Sequence, residues 1–180
     1  MIRVLDNPCT RDYYNFRDII LDYNFDWHWQ QSTYANESDT PGHIHMPFYG
    51  HTFLVRPEDN GFTQVGSQYH IACRNVLAQI IDSNNLFHKY FFLRAAANCT
   101  HPDEGIQISE PHIDHDFPHY NLLVYLEGDG DTIVDGERYS PKNHDAILFQ
   151  GSHYMTRPTR GRRIVLICTL FEIPKDGKIK

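Results

Sequence analysis

The stretch YNLLVYLEGDGDTIVDGERYSPKNHDAILFQ, residues 120–150, decides the fold. It opens on the apolar run YNLLVYL (120–126) and closes on AILFQ (146–150). Between them Asp135-Gly136 separates Ile133-Val134 from Arg138-Tyr139, the dipeptide that suits a two-residue hairpin turn with positive φ at both positions. Short apolar and β-branched runs bounded by Gly, Pro, Asp and Asn are strands. Working outward, YFFLRAAANC (90–99) precedes this region and RIVLICTLF (163–171) follows it. Several short strands with no helix between them point to an antiparallel barrel or jelly roll.

The N-terminal half has a different period. Tyr69, Cys73, Val76, Leu77, Ile80 and Ile81 recur every three or four residues, which predicts a helix over 69–81 laid on a core. A weaker helix is predicted over 11–23, with Tyr14, Ile19 and Ile20 within helical reach. From there to residue 60 the aromatics and histidines alternate irregularly, and HIHMPFYGH (43–51) carries Pro47 and Gly50 after Pro41-Gly42, so a long loop is expected. The expected architecture is mainly β with α: one domain over 1–180, with a helical and loop part at 1–88. A double-stranded β-helix (jelly roll) at 89–172 forms its core, and the N-terminal helices pack on one sheet.

The totals narrow the function. With 16 Lys and Arg against 23 Asp and Glu the formal charge is −7, which repels a phosphate backbone. The basic residues gather only at Arg157, Arg160, Arg162 and Arg163, so no nucleic-acid partner is expected. No apolar run approaches the roughly 20 residues that span a bilayer, and no membrane association is expected. The opening MIRVLDNPCTRDYYNF lacks the apolar segment of a secretory signal, which makes a cytoplasmic protein the expectation. Cys9, Cys73, Cys99 and Cys168 are far apart and form no CxxC pair, as expected of core thiols in a reducing compartment. Nothing in the sequence signals an oligomeric state.

Two His-x-Asp pairs occur, His101-Pro102-Asp103 and His112-Ile113-Asp114. Twelve histidines and sixteen aspartates in 180 residues make about one such pair expected by chance, so context must separate them. Non-haem iron(II) oxygenases hold the metal with two imidazoles and a carboxylate on one face of an octahedron, leaving three positions open. In extended backbone residues i and i+2 point to the same side, so His112 and Asp114 can converge from a strand end. The third ligand must come from elsewhere, and His153, between AILFQ and RIVLICTLF, is best placed. His101 and Asp103 sit in the polar stretch THPDEG, a loop without such a partner.

These segments, PHIDHDFPHYNLLVYLEGDGDT, SPKNHDAILFQ and GSHYMTRPTRGRRIVL, together resemble the prolyl-4-hydroxylase-like branch of the 2-oxoglutarate and iron(II)-dependent oxygenases over about residues 90–172. The resemblance implies His112, Asp114 and His153 as both catalytic residues and ligands to Fe(II), with 2-oxoglutarate and O2 as co-substrates. Ascorbate would be an accessory reductant. It also implies a cation about ten residues past the distal histidine for the far carboxylate of 2-oxoglutarate. Arg162 and Arg163 compete, and as neighbours on a strand they point to opposite faces, so at most one can serve. Alignment of IVLICTLFE with the last strand of the family selects Arg163, and Tyr125 falls where many members place a tyrosine on the same carboxylate. The implied activity is hydroxylation of a C–H bond in a peptide, amino acid or small molecule, prolyl-hydroxylase-like in kind, with release of succinate and carbon dioxide.

Where family members carry a tyrosine after Ala-Asn, Ala97-Asn98 is followed by Cys99. Asn98 is read as a turn former, the alternative being a side-chain amide on the co-substrate. His115 and His119 are candidates for contacts to the ligands or substrate, or for rim polarity. His43, His45 and His51, with Trp27, Trp29, Phe48, Tyr49 and Phe53, are either a substrate lid and rim or ordinary packing. Two rivals stand beside the oxygenase reading: a cupin-like jelly-roll metal protein acting without 2-oxoglutarate, and a non-catalytic metal- or ligand-binding module.

Overall fold

The computed structural model describes residues 1–31, 46–86 and 88–174. Its first half contains β1 (Arg3–Leu5), α1 (Arg11–Leu21), β2 (His28–Gln30), β3 (Phe48–Val55), α2 (Pro57–Asn60), β4 (Gln64–Val65) and α3 (His70–Ser83). The second half is all strand: β5 (Tyr90–Thr100), β6 (Tyr120–Glu127), β7 (Thr132–Val134), β8 (Glu137–Tyr139), β9 (Ala146–Phe149), β10 (His153–Met155) and β11 (Arg163–Glu172).

Two antiparallel sheets result. The larger runs β1-β9-β6-β11-β5-β3-β2 with β4 beside β3, and the smaller runs β10-β7-β8. The sheets lie as a jelly-roll sandwich and do not close into a barrel. Asp135 at φ 48° and Gly136 at φ 86° make the hairpin between β7 and β8, the left-handed pair that matches strand twist. Among the described residues no helix is long and apolar enough to cross a membrane.

Strand alternation divides the core. Leu122, Val124 and Leu126 of β6, Ala146 and Leu148 of β9, and Ile164, Leu166 and Cys168 of β11 face the helices. There they meet Tyr13, Phe16 and Ile20 of α1 and Cys73, Val76, Leu77 and Ile80 of α3. The opposite set, Leu123, Tyr125, Ile147, Phe149 and Val165, faces the smaller sheet and packs with Val134. This second face is the interior that carries the site.

The α3 stripe matches the sequence reading. In α1 the buried face is Tyr13, Phe16 and Ile20 with Ile19 packed against the core, so of the expected residues Ile19 and Ile20 face inward and Tyr14 is exposed. The expected loop over 48–55 is the strand β3, paired with β5 from Tyr49 opposite Cys99 to Leu54 opposite Ala95. Gly50 is not a turn residue there; it lies mid-strand opposite Asn98. The aromatics expected at a rim divide: Phe53 and Phe48 are buried, Trp27 packs on the core, and Trp29 and Tyr49 are exposed. His43 and His45 lie outside the described residues.

Candidate metal centre

His112 and His153 meet as a backbone bridge. Each donates its N–H to the carbonyl of the other, at 3.0 Å and 2.9 Å, which extends the smaller sheet by one rung. Their rings lie 4.5 Å apart between centroids. Two residues on, Asp114 brings Oδ2 to 3.4 Å from His153 Nε2. One ligand atom from each of the three lies within 4.8 Å of the others. His101 and Asp103 join no such group among the described residues. Their loop is instead held by Arg157, which donates to the carbonyls of Ile106 and His101 and lies 3.5 Å from Asp103.

The protonation pattern suits a cation. His112 Nδ1 lies 3.2 Å from the Glu110 carbonyl and His153 Nδ1 lies 3.4 Å from that of Gly151. A carbonyl only accepts, so Nδ1 carries a hydrogen on each ring, and a neutral ring held this way has its lone pair on Nε2. Burial pushes the His153 imidazole down, against the pull of Asp114, to about 4. Burial pushes the Asp114 carboxyl up, but His153, Arg94, His112 and Arg56 outweigh it and hold the group at about 2. Near neutral pH His153 is therefore an uncharged imidazole beside a charged carboxylate. Asp114 Oδ2 is buried and makes no hydrogen bond among the described residues, an arrangement that costs about 1–3 kcal/mol unless a ligand offsets it. These donors fit a divalent metal of the type held by a facial triad.

At the other end of the interior stands Arg163, which is buried. Its Nη2 donates to Thr132 Oγ1 at 3.0 Å, its Nε to the Gly130 carbonyl at 3.3 Å, and its guanidinium lies 5.4 Å from the centroid of the Tyr125 ring. Tyr125 donates to the same Thr132 hydroxyl at 2.7 Å. Among the described residues no carboxylate lies within 4.0 Å of this guanidinium. Gly130 is required: at φ 105° a Cβ there would meet the Thr156 carbonyl oxygen at 2.7 Å and the Arg163 side chain at 3.0 Å. Arg162 points the other way, bonding Glu127 at 2.5 Å and the Leu21 carbonyl at 3.0 Å. Met155, whose sulfur touches Arg163 at 3.2 Å, is two residues beyond His153 on β10. The short strand β10 thus carries His153 and, through Met155, touches Arg163.

Asn98 is not in a turn. It lies within β5 between Gly50 of β3 and Val165 of β11, so its side chain shares the interior face. A strand paired on both sides overrides the turn preference of the residue type. His115 and His119 are both buried and line a cavity of roughly 890 Å³ in front of Asp114, together with Arg56, Glu58 and Phe117. His115 Nδ1 donates to the Glu58 carboxylate, so its Nε2 accepts from the Thr169 hydroxyl at 2.8 Å. His119 Nδ1 donates to the Phe117 carbonyl at 2.8 Å, and its buried Nε2 has no hydrogen-bond partner among the described residues.

Sequence reasoning missed the groups around Asp114. Arg94 Nη1 lies 3.3 Å from Asp114 Oδ1, and Arg56 Nη1 donates to the Asp114 carbonyl at 3.2 Å. A signal for Arg94 existed, a lone charge within the apolar run YFFLRAAA. Arg56 and Glu58 had none.

No family model matches the chain, and no curated protein matches it by sequence. Solved structures do. A 2OG-Fe(II) oxygenase family oxidoreductase from Burkholderia pseudomallei superposes with a TM-score of 0.60 at 14% identity, covering 81% of this chain and 72% of that one. The non-haem α-ketoglutarate-dependent epimerase SnoN of nogalamycin biosynthesis gives 0.58 at 12% identity, covering 96% and 78%. A viral collagen prolyl hydroxylase from Paramecium bursaria Chlorella virus-1 gives 0.47 at 15% identity, covering 71% and 80%. This chain has the jelly-roll fold that the 2-oxoglutarate and iron(II) oxygenases share.

Proposed function

We propose that this protein is an iron(II)- and 2-oxoglutarate-dependent oxygenase with His112, Asp114 and His153 as metal ligands. One observation carries the reading: two imidazoles and a buried carboxylate share an interior with a buried guanidinium that has no carboxylate within reach among the described residues. A structural metal site has no need of the arginine, and a structural arginine has no need of the triad. A dicarboxylate chelating at one end and paired with Arg163 at the other would use both parts of this interior.

His112 and His153 present Nε2 lone pairs, each ring held by a main-chain carbonyl behind it. Asp114 supplies the negative charge. Arg163 offers a planar fork for the far carboxylate, and Tyr125 adds a neutral donor once its hydroxyl turns from Thr132. The apolar strip Leu123, Ile147, Phe149 and Val165 excludes water between the two ends. Bound together, iron(II), 2-oxoglutarate and O2 would supply the oxidising power, 2-oxoglutarate leaving as succinate and carbon dioxide. The cavity at Asp114 would receive a small molecule, amino acid or peptide whose C–H bond is hydroxylated, with prolyl hydroxylation the narrower version.

The test is succinate formation. Protein prepared anaerobically with iron(II) and 2-oxoglutarate is exposed to oxygen, with His112→Ala as control. Succinate that depends on His112 is the expected result. If none forms, binding of 2-oxoglutarate to the metal-loaded protein decides: binding means turnover is coupled to a substrate, and its absence sinks the reading in favour of a jelly-roll metal protein of another kind.

A further inference from the structure

The two oxygens of the Asp114 carboxylate have different surroundings. Oδ1 lies 3.3 Å from Arg94 Nη1, whereas Oδ2 is buried, makes no hydrogen bond among the described residues and faces His153 Nε2 at 3.4 Å. Arg94 reaches Asp114 from the middle of the larger sheet, where it pairs with Thr169 of β11. The Thr169 hydroxyl in turn bonds His115, the neighbour of Asp114. From the other side Arg56 fixes the Asp114 main chain through its carbonyl. The carboxylate is therefore met by Arg94 of β5, its main chain by Arg56 before α2, and its neighbour His115 by Thr169 of β11.

A carboxylate can give a metal one oxygen or both. The difference matters here because a facial triad fills three of six positions, and a chelating co-substrate with dioxygen needs the other three. A second bond from Asp114 would take one of them. We infer that Arg94 is a positioning residue that engages Oδ1, so that Asp114 offers the metal Oδ2 alone and the remaining positions stay available. The inference rests on the oxygenase reading for that count of positions. Arg56 acts alongside it by fixing the backbone from which the carboxylate projects.

The experiment uses the full chain loaded with cobalt(II), whose ligand-field absorption reports coordination number and symmetry. Arg94→Met, Arg94→Gln and Arg94→Lys are compared with wild type, and thermal melts establish which variants are folded. The affinity of 2-oxoglutarate for the cobalt-loaded proteins is measured by titration calorimetry. Arg94→Met should change the cobalt spectrum and weaken 2-oxoglutarate binding by roughly tenfold to a hundredfold, the range seen when partners of metal ligands are removed. Arg94→Lys should restore most of both, and Arg94→Gln serves should the Met variant not fold. Wild-type spectra and wild-type affinity in folded Arg94 variants would overturn the inference and leave the oxygenase reading standing. A wild-type cobalt spectrum that His112→Ala leaves unchanged would overturn both.

Discussion

Acidification of the metal-free protein probes the site without any substrate. His153 is held at about 4 by burial, against an ordinary imidazole value of 6.5. Its folded-state value is depressed, so its contribution to stability is fully present above pH 6.5 and is lost as pH falls through about 4. Each pH unit between the two costs about 1.4 kcal/mol, and the gap amounts to about 3 kcal/mol. Asp114, held at about 2 against 3.8 in the same way, adds about 2 kcal/mol lost at lower pH. The assay is urea unfolding in the presence of a chelator at half-unit steps from pH 8 to pH 4, on wild type and His153→Gln. Other groups titrate over the same range, and the difference between the two proteins isolates His153. That difference should shift by about 3 kcal/mol across the range, wild type losing more. Parallel curves would refute the claim that His153 is a neutral imidazole buried beside a charged carboxylate.

Arg163→Met should leave the melting temperature within a few degrees of wild type, since it removes a buried charge whose desolvation no carboxylate within reach among the described residues offsets, yet 2-oxoglutarate binding should fall at least a hundredfold by calorimetry. Arg162→Ala, which loses a partly exposed pair with Glu127, should cost under about 1 kcal/mol and leave that binding unchanged; the opposite pattern would mean that the wrong face of β11 has been assigned. Tyr125→Phe removes the buried bond to Thr132 and should cost about 1 kcal/mol in denaturant unfolding while raising the KM for 2-oxoglutarate several-fold at little change in kcat. Gly130→Ala forces a side chain into left-handed backbone against the Thr156 carbonyl, and should cost about 1–3 kcal/mol, with 2-oxoglutarate affinity falling because Arg163 is crowded as well.

What was legible in the sequence is local. The helix α3 was visible because its apolar residues keep a 3.6-residue period. Strands β6, β9 and β11 were visible as short apolar runs between turn residues, although both of their faces are buried and no alternation marks them. The Asp135-Gly136 turn carries its own backbone requirement. Strand β3 was not legible, because FYGHTFLV mixes aromatics with Gly50 and His51 and becomes a strand only through its pairing with β5, more than forty residues away in the chain. Asn98 was misread for the same reason. In the site, the His-x-Asp pair and the alternation that separates Arg162 from Arg163 are properties of one strand. The approach of Arg94 and Arg56 to Asp114 depends on how strands stack, and no spacing in the chain encodes it.

The interior face of the larger sheet shows why Arg163 stands apart from the group of His112, Asp114 and His153. Across one rung lie Arg94, Thr169, Asn121 and Phe149, beside the triad; the next rung, Ala96, Ile167, Leu123 and Ile147, is apolar. Beyond it come Asn98, Val165 and Tyr125, and then Thr100 and Arg163. Polar groups thus mark both ends of a strip whose middle is apolar. Near the triad, Asp114, His119 and Asn121 bury side-chain polar atoms with no hydrogen-bond partner among the described residues, as does Thr100 opposite Arg163 and, away from this face, Nη2 of Arg157. Each such atom costs about 1–3 kcal/mol, and a chain selected only for stability would replace them with apolar residues of similar size. That Asn121 and Thr100 lie on one interior face, with His112 and His153 beside one end and the Arg163 guanidinium at the other, is accounted for if ligands complete their bonding. Local rules of folding are expected to fail at a site that binds something, and they fail here along the line that joins His153 to Arg163.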